Sequence, residues 1–143
     1  MGTQQILLIV LSVIIVGVAI AVGITMFSNQ AYNSNQQAVS SELQNYAAQV
    51  AQYYKVPKGM GGAGQDSSFV TVASVANFIG FKGADYSTTT DNGEFRVIST
   101  AGNTVTLKGL GKEKKGTNYP LVTSTIDIPA CNISTTVSSG PGF

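Results

Sequence analysis

Apolar positions along the chain fall into three regimes with different periods. From Ile6 to Phe27 almost every side chain is apolar, so no period is visible. From Ser28 to Tyr54 the apolar residues recur at helical spacing. Val39, Leu43, Tyr46, Val50 and Tyr53 step by 4, 3, 4 and 3, which puts them on one stripe of an α-helix. Ala47 and Tyr54 widen that stripe, while Gln36, Ser40, Gln44, Asn45, Gln49 and Gln52 lie largely off it. From Glu94 onward the period becomes two, in EFRVIS, TVTLKGL and LVTSTIDI, as in half-buried strands.

Nothing punctuates the join between the first two regimes, because Ser28 to Tyr54 contains neither Gly nor Pro. The pattern therefore predicts one helix from about Thr3 to Tyr54, roughly 75–80 Å long at ~1.5 Å per residue. Its apolar half would measure ~33 Å, enough for a bilayer core of ~30 Å. Ser12 and Thr25 can return their hydroxyls to the preceding turn. Gly17, Ala19, Ala21 and Gly23 form a small-residue cluster with small-xxx-small spacing at 17/21 and 19/23, a spacing that lets helices approach closely in lipid. Pro57 and the glycines after it end the helix.

The chain thus divides into a long helix over 1–54, a Gly-rich linking loop over 55–68 and a small globular domain over 69–143. Residues 1–27 are the apolar half of the helix and 28–54 the amphipathic half. In the globular part, a short helix over 69–79 would bury Phe69, Val72, Ala73, Ala76 and Ile79, with Asp66, Ser67 or Ser68 as N-cap and Gly80 as C-cap. KGADYSTTTDNG is polar and turn-rich and ends in the Asp91-Asn92-Gly93 turn signal. AGN makes a hairpin loop between the first two strands. LVTSTIDI sends Val122, Ser124, Ile126 and Ile128 to one side, and ACNISTTV adds an edge-like strand. The expected class is α+β: a long N-terminal helix packed on an antiparallel sheet of three to four strands.

Composition and charge narrow the chemistry. Charged residues make up 10% of the 143, the net charge is +1, and the first side chain charged at neutral pH is Glu42. That balance gives no electrostatic case for binding nucleic acid or an acidic substrate. With no histidine and Cys131 as the only cysteine, there is no Ser-His or Cys-His pair, no intramolecular disulfide and no zinc-ligand spacing. Neither catalysis nor a cofactor is expected. GMGGAG at 59–64 matches a dinucleotide-binding fingerprint literally, but a helix precedes it where a strand is required. Read as a phosphate loop, it carries Gln65 and Asp66 where lysine and a hydroxyl are needed. The loop therefore reads as a flexible linker, and GKEKKG (111–116) as a solvated tip. Asn132-Ile133-Ser134 is a glycosylation sequon with Asn132 as acceptor. A cleavable signal would need a basic start, and an ordinary membrane anchor would have flanking Lys or Arg. The first basic side chain is Lys55.

An all-apolar helix running unbroken into an amphipathic half that supports a small antiparallel sheet resembles a type IV pilin or pseudopilin. The resemblance is closest over the first ~55 residues. In that family the helix sits first in the inner membrane and is then moved into the core of a helical filament whose outer surface is made of sheet domains. The resemblance implies a structural subunit of an extracellular filament on the cell surface. Its partners would be copies of itself, the inner membrane before assembly, and pilus assembly machinery. If Met1 is the first residue of a processed chain, it stands where pilins carry an apolar N-methylated residue. Gln4 and Gln5 occupy the place of the family's glutamate, which pairs with a neighbour's terminal amine. Gly17, Ala21 and Gly23 would sit at helix–helix contacts, and Gly17 and Gly23 lie where pilin helices often lose regular hydrogen bonding in the filament. The family's C-terminal disulfide cannot form with a single cysteine, and the family's leader ending in glycine is not seen before Met1: either the chain is already processed or this branch lacks the leader. Two other readings stay open: a single-span anchor carrying an extracytoplasmic binding domain, and a minor pseudopilin of a secretion machine.

Overall fold

The computed structural model describes residues 2–143. Helix α1 (Thr3–Lys55) is unbroken, and a second helix, α2 (Val72–Ile79), precedes the sheet. Five strands follow: β1 (Ser87–Thr89), β2 (Gly93–Ala101), β3 (Thr104–Gly111), β4 (Tyr119–Asp127) and β5 (Asn132–Gly140). They form one antiparallel meander in sequence order. The fold is α+β, a long N-terminal helix laid across an antiparallel sheet.

The helical stripe finds its place. Val39, Leu43, Ala47, Val50 and Tyr53 are buried, and Tyr46 is half-buried with its ring edge-on to Phe81 at 4.9 Å and tilted to Phe95 at 5.2 Å. Opposite them the sheet offers Phe95, Val97, Val105, Leu107, Val122 and Ile126. These are the period-two positions of β2, β3 and β4, so helix and sheet each bury one face. β3 approaches α1 closely because two of its inward positions have no side chain. A Cβ on Gly109 would lie 2.8 Å from Val39 Cγ1, and one on Gly111 would collide with Asn35 Oδ1 and Pro120. Polar contacts fix the near edge: Glu42 accepts from Thr90 Oγ1 at 2.9 Å and Asn92 Nδ2 at 2.6 Å, and Asn35 Nδ2 donates to the Asn92 carbonyl at 2.7 Å. Burial, with the Glu42 charge one helical turn away adding to it, raises the Tyr46 phenol above its ordinary range.

Several expectations change. The sheet has five strands rather than three or four. The additional strand is STT at 87–89, inside the segment read as turn, where it pairs with Glu94–Arg96 across the Asp91-Asn92 turn. The short helix begins at Val72, not Phe69. Asp66 instead caps a 3₁₀ turn over Ser67–Phe69, and Thr71 caps α2 through a reciprocal capping box with Ser74. Phe69 is consequently half-exposed, and Val75 takes its place in the core beside Ala76 and Ile79. Gly80 is the C-cap, in the left-handed region at φ 85°.

The Gly-rich loop is tied down rather than free. Its amides close the end of α1: Ala63 N donates to Tyr53 O at 3.0 Å, Gln65 N to Tyr54 O at 2.8 Å and Gly64 N to Val56 O at 2.8 Å. Tyr53 Oη and Tyr54 Oη donate to the carbonyls of Phe69 and Gln65. Three of the loop's N–H groups are thus spent on carbonyls at the end of the helix that would otherwise go unpaired. Asp66 accepts from the Ser68 hydroxyl at 2.6 Å and from Lys58 Nζ at 2.9 Å, which lowers its carboxyl to about 2.

Both sides of the helix–sheet seam can be tested in detergent-solubilised full-length chain by urea unfolding. Leu43→Ala, at a fully buried position, is expected to lose about 2–5 kcal/mol. Gly109→Val should lose about 1–3 kcal/mol through overpacking against Val39 and Phe95. Unchanged unfolding midpoints would contradict the packing described.

Candidate assembly surface

The core ends well before the helix does. Tyr32 is the buried residue of α1 nearest its N-terminus, and Thr3–Gln30 project from the domain with every residue exposed. That projection measures about 42 Å. It carries sixteen large apolar side chains from Ile6 to Phe27, each at least 50% exposed. A soluble monomer rarely shows a contiguous apolar patch beyond a few hundred Å². This rod is apolar on all sides and long enough to cross a membrane.

The two polar side chains between Ile6 and Phe27 are internally satisfied. Ser12 Oγ donates to Ile9 O at 2.8 Å and Thr25 Oγ1 to Val22 O at 2.8 Å, so neither presents a free hydroxyl to an apolar neighbour. Gln4 and Gln5 lie exposed in the first turn, which has no side-chain cap and no acidic residue. The first-turn N–H groups are therefore left for an outside acceptor. Met1 lies outside the described residues.

Gly17, Ala21 and Gly23 are exposed in the middle of the rod, and α1 stays helical through them. A Cβ added to either glycine would meet nothing within 4 Å, so nothing within the chain requires glycine there. At ~100° per residue, Gly17 and Ala21 fall on one side of the helix and Ala19 and Gly23 on nearly the opposite side. The small residues thus open two faces to close approach.

The remaining sites singled out in the sequence are dispersed. The packing residues Val39, Leu43, Tyr46, Val50 and Tyr53 lie together under the sheet and face no solvent cavity. Asn132 is exposed at the start of β5, open to modification. Cys131 is half-exposed in the tight β4–β5 turn at φ 53°, with its Sγ donating to Ile128 O at 3.4 Å. Glu94 accepts from Arg96 at 2.8 Å. The Glu42–Thr90–Asn92 contacts leave no local signal in the sequence, because they join positions 48 and 50 residues apart. No protein-family model, curated protein or solved structure matches the chain.

Gly17→Leu should leave the helix content and unfolding midpoint of the detergent-solubilised chain unchanged. Self-association, measured by chemical crosslinking in membranes, should fall on the order of tenfold, about 1.4 kcal/mol. Unaltered crosslinking would show that helices do not meet at Gly17.

Proposed function

We propose that this chain is a type IV pilin-like structural subunit, polymerising through its apolar N-terminal helix into an extracellular filament and held in the inner membrane before assembly. One observation carries the reading: sixteen large apolar side chains stand uncovered on a rigid helix beside a domain whose own core is closed. A bilayer can cover that rod, and so can a bundle of identical rods. Moving between the two exchanges one apolar environment for another, so little hydrophobic free energy is gained or lost. Adhesion then depends on close packing, which two opposite small-residue faces permit on two sides at once. A lone anchor needs neither face and ordinarily carries flanking positive charge. Here the side chains stay uncharged through Ser41. Assembly machinery that lifts the helix out of the bilayer belongs to this reading as a partner.

In the polymer, the uncapped first turn of one subunit would look to an acceptor on a neighbour. Gln4 or Gln5 can supply an amide oxygen, a hydrogen bond without the buried carboxylate of an ion pair.

Shearing cells that make the protein, followed by negative-stain microscopy with an antibody to the chain, tests the reading. Labelled filaments are expected in the sheared fraction. Protein that stays wholly with the membranes, with no labelled filament, would leave the single-span anchor as the better account.

A further inference from the structure

The sheet is wider than the helices that cover it. α1 packs mainly over β4 and β3, and α2 packs against β2. At ~4.8 Å per strand the five strands span about 19 Å, whereas one helix with its side chains covers 10–12 Å or so. β5 lies at one edge of the sheet, where α1 touches it without covering it. Its pairing sets Val137 opposite Val122 and Ile133 opposite Ile126, so both aliphatics point to the helix-bearing face. Val122 and Ile126 are fully buried, but Val137 remains 50% and Ile133 40% exposed. Between Val137 and α1 runs an open groove walled by Gln36, Gln37, Ser40, Ser41 and Gln44.

We infer that this groove is a subunit contact, filled by the α1 helix of a second copy through its uncharged stretch just beyond the apolar rod. The inference rests on the polymer reading above and names the surface that reading lacks. Three features select the occupant. Every wall residue is uncharged, so the groove suits a neutral partner, and α1 has no charged side chain before Glu42. Two half-exposed aliphatics are too small an apolar area to hold a free protein. The occupant is therefore held elsewhere and delivered at high effective concentration, as a copy anchored by its own apolar rod would be. Finally, the exposed face of α1 around Met26, Asn29, Gln30 and Asn33 is rich in side-chain amides that can bond the groove's Gln and Ser. Nothing in its own domain covers that face. Matching it to the groove offsets neighbouring copies along the helix by roughly 13 Å.

Adjacent strand positions supply the test in the full chain. Val137 faces the groove and Thr136 the opposite side of the sheet. Val137→Lys is expected to reduce the yield of sheared filaments at least tenfold, with Thr136→Lys within twofold of the unaltered chain. Equal yields from the two variants would overturn the inference while the filaments themselves upheld the polymer reading. No filaments from the unaltered chain would mean that the polymer reading had failed, and this inference with it. If Val137→Lys disturbs folding in detergent, disulfide trapping decides. In a Cys131→Ser background, Val137→Cys combined with Asn33→Cys or Gln30→Cys should give crosslinked dimers in oxidised filaments. Monomer alone in both pairings would rule the contact out.

Discussion

Uncovered apolar surface on residues 6–27 is the constraint to which the rest of the structure answers. Burying a large aliphatic side chain is worth about 1.5–3 kcal/mol. Taking about half of that for each of sixteen half-exposed residues gives on the order of 20 kcal/mol. A whole domain's net stability is usually about 5–15 kcal/mol. Whatever covers the rod therefore outweighs the folding of the domain it carries, and the chain in water without lipid or partners is not a resting state. The continuity of α1 makes this surface mechanical as well as hydrophobic. One helix is both the rod and the central element of the domain core, so a force or a contact on the rod reaches Val39, Leu43 and Val50 without passing through a hinge.

The domain grips that helix from several sides. Its sheet places period-two aliphatics under α1, and glycines at 109 and 111 let β3 come close. Glu42 and Asn35 tie the helix to the β1–β2 turn, and the glycine loop turns back to close the helix's C-terminal carbonyls. The titratable groups that depart from ordinary behaviour, Tyr46 and Asp66, do so for structural reasons: burial between rings for one, capping of a 3₁₀ turn for the other. The outward face of the sheet, by contrast, is mostly polar and carries Thr106, Lys108, Thr123, Thr125, Ser134 and Thr136 around the paired Leu110 and Leu121.

The sequence made the long-period features legible. A 4-3-4-3 stripe specifies which face of α1 is buried wherever the helix docks, and alternation in β2 to β4 specifies the complementary face. Features that depend on local backbone competition were harder to read. β1 is three hydroxyl residues with no alternation to reveal it, and it exists because the Asp91-Asn92 turn brings it against Glu94–Arg96. Ile98 is an extra residue between the paired Val97 and Ser99, a bulge that shifts the alternation of the remaining strand and leaves Ile98 exposed. α2 starts later than its sequence suggests because Asp66 and Thr71 are both good caps, and Asp66 is spent on the 3₁₀ turn. In the glycine loop, composition suggested freedom, but which carbonyls its amides would meet depends on where α1 ends. For the candidate surface, the small residues at 17, 19, 21 and 23 were visible at once. The open flank at Val137 was not, since it depends on the width of the sheet relative to its helices.

The central claim is that the rod is covered by other copies of itself. A helical reconstruction of sheared filaments by electron cryomicroscopy tests it most directly. Residues 6–27 are expected around the filament axis, packed against the same segment of neighbouring subunits, with the sheet domains outside. Density with that segment at the periphery, or a filament axis made of another protein, would contradict it.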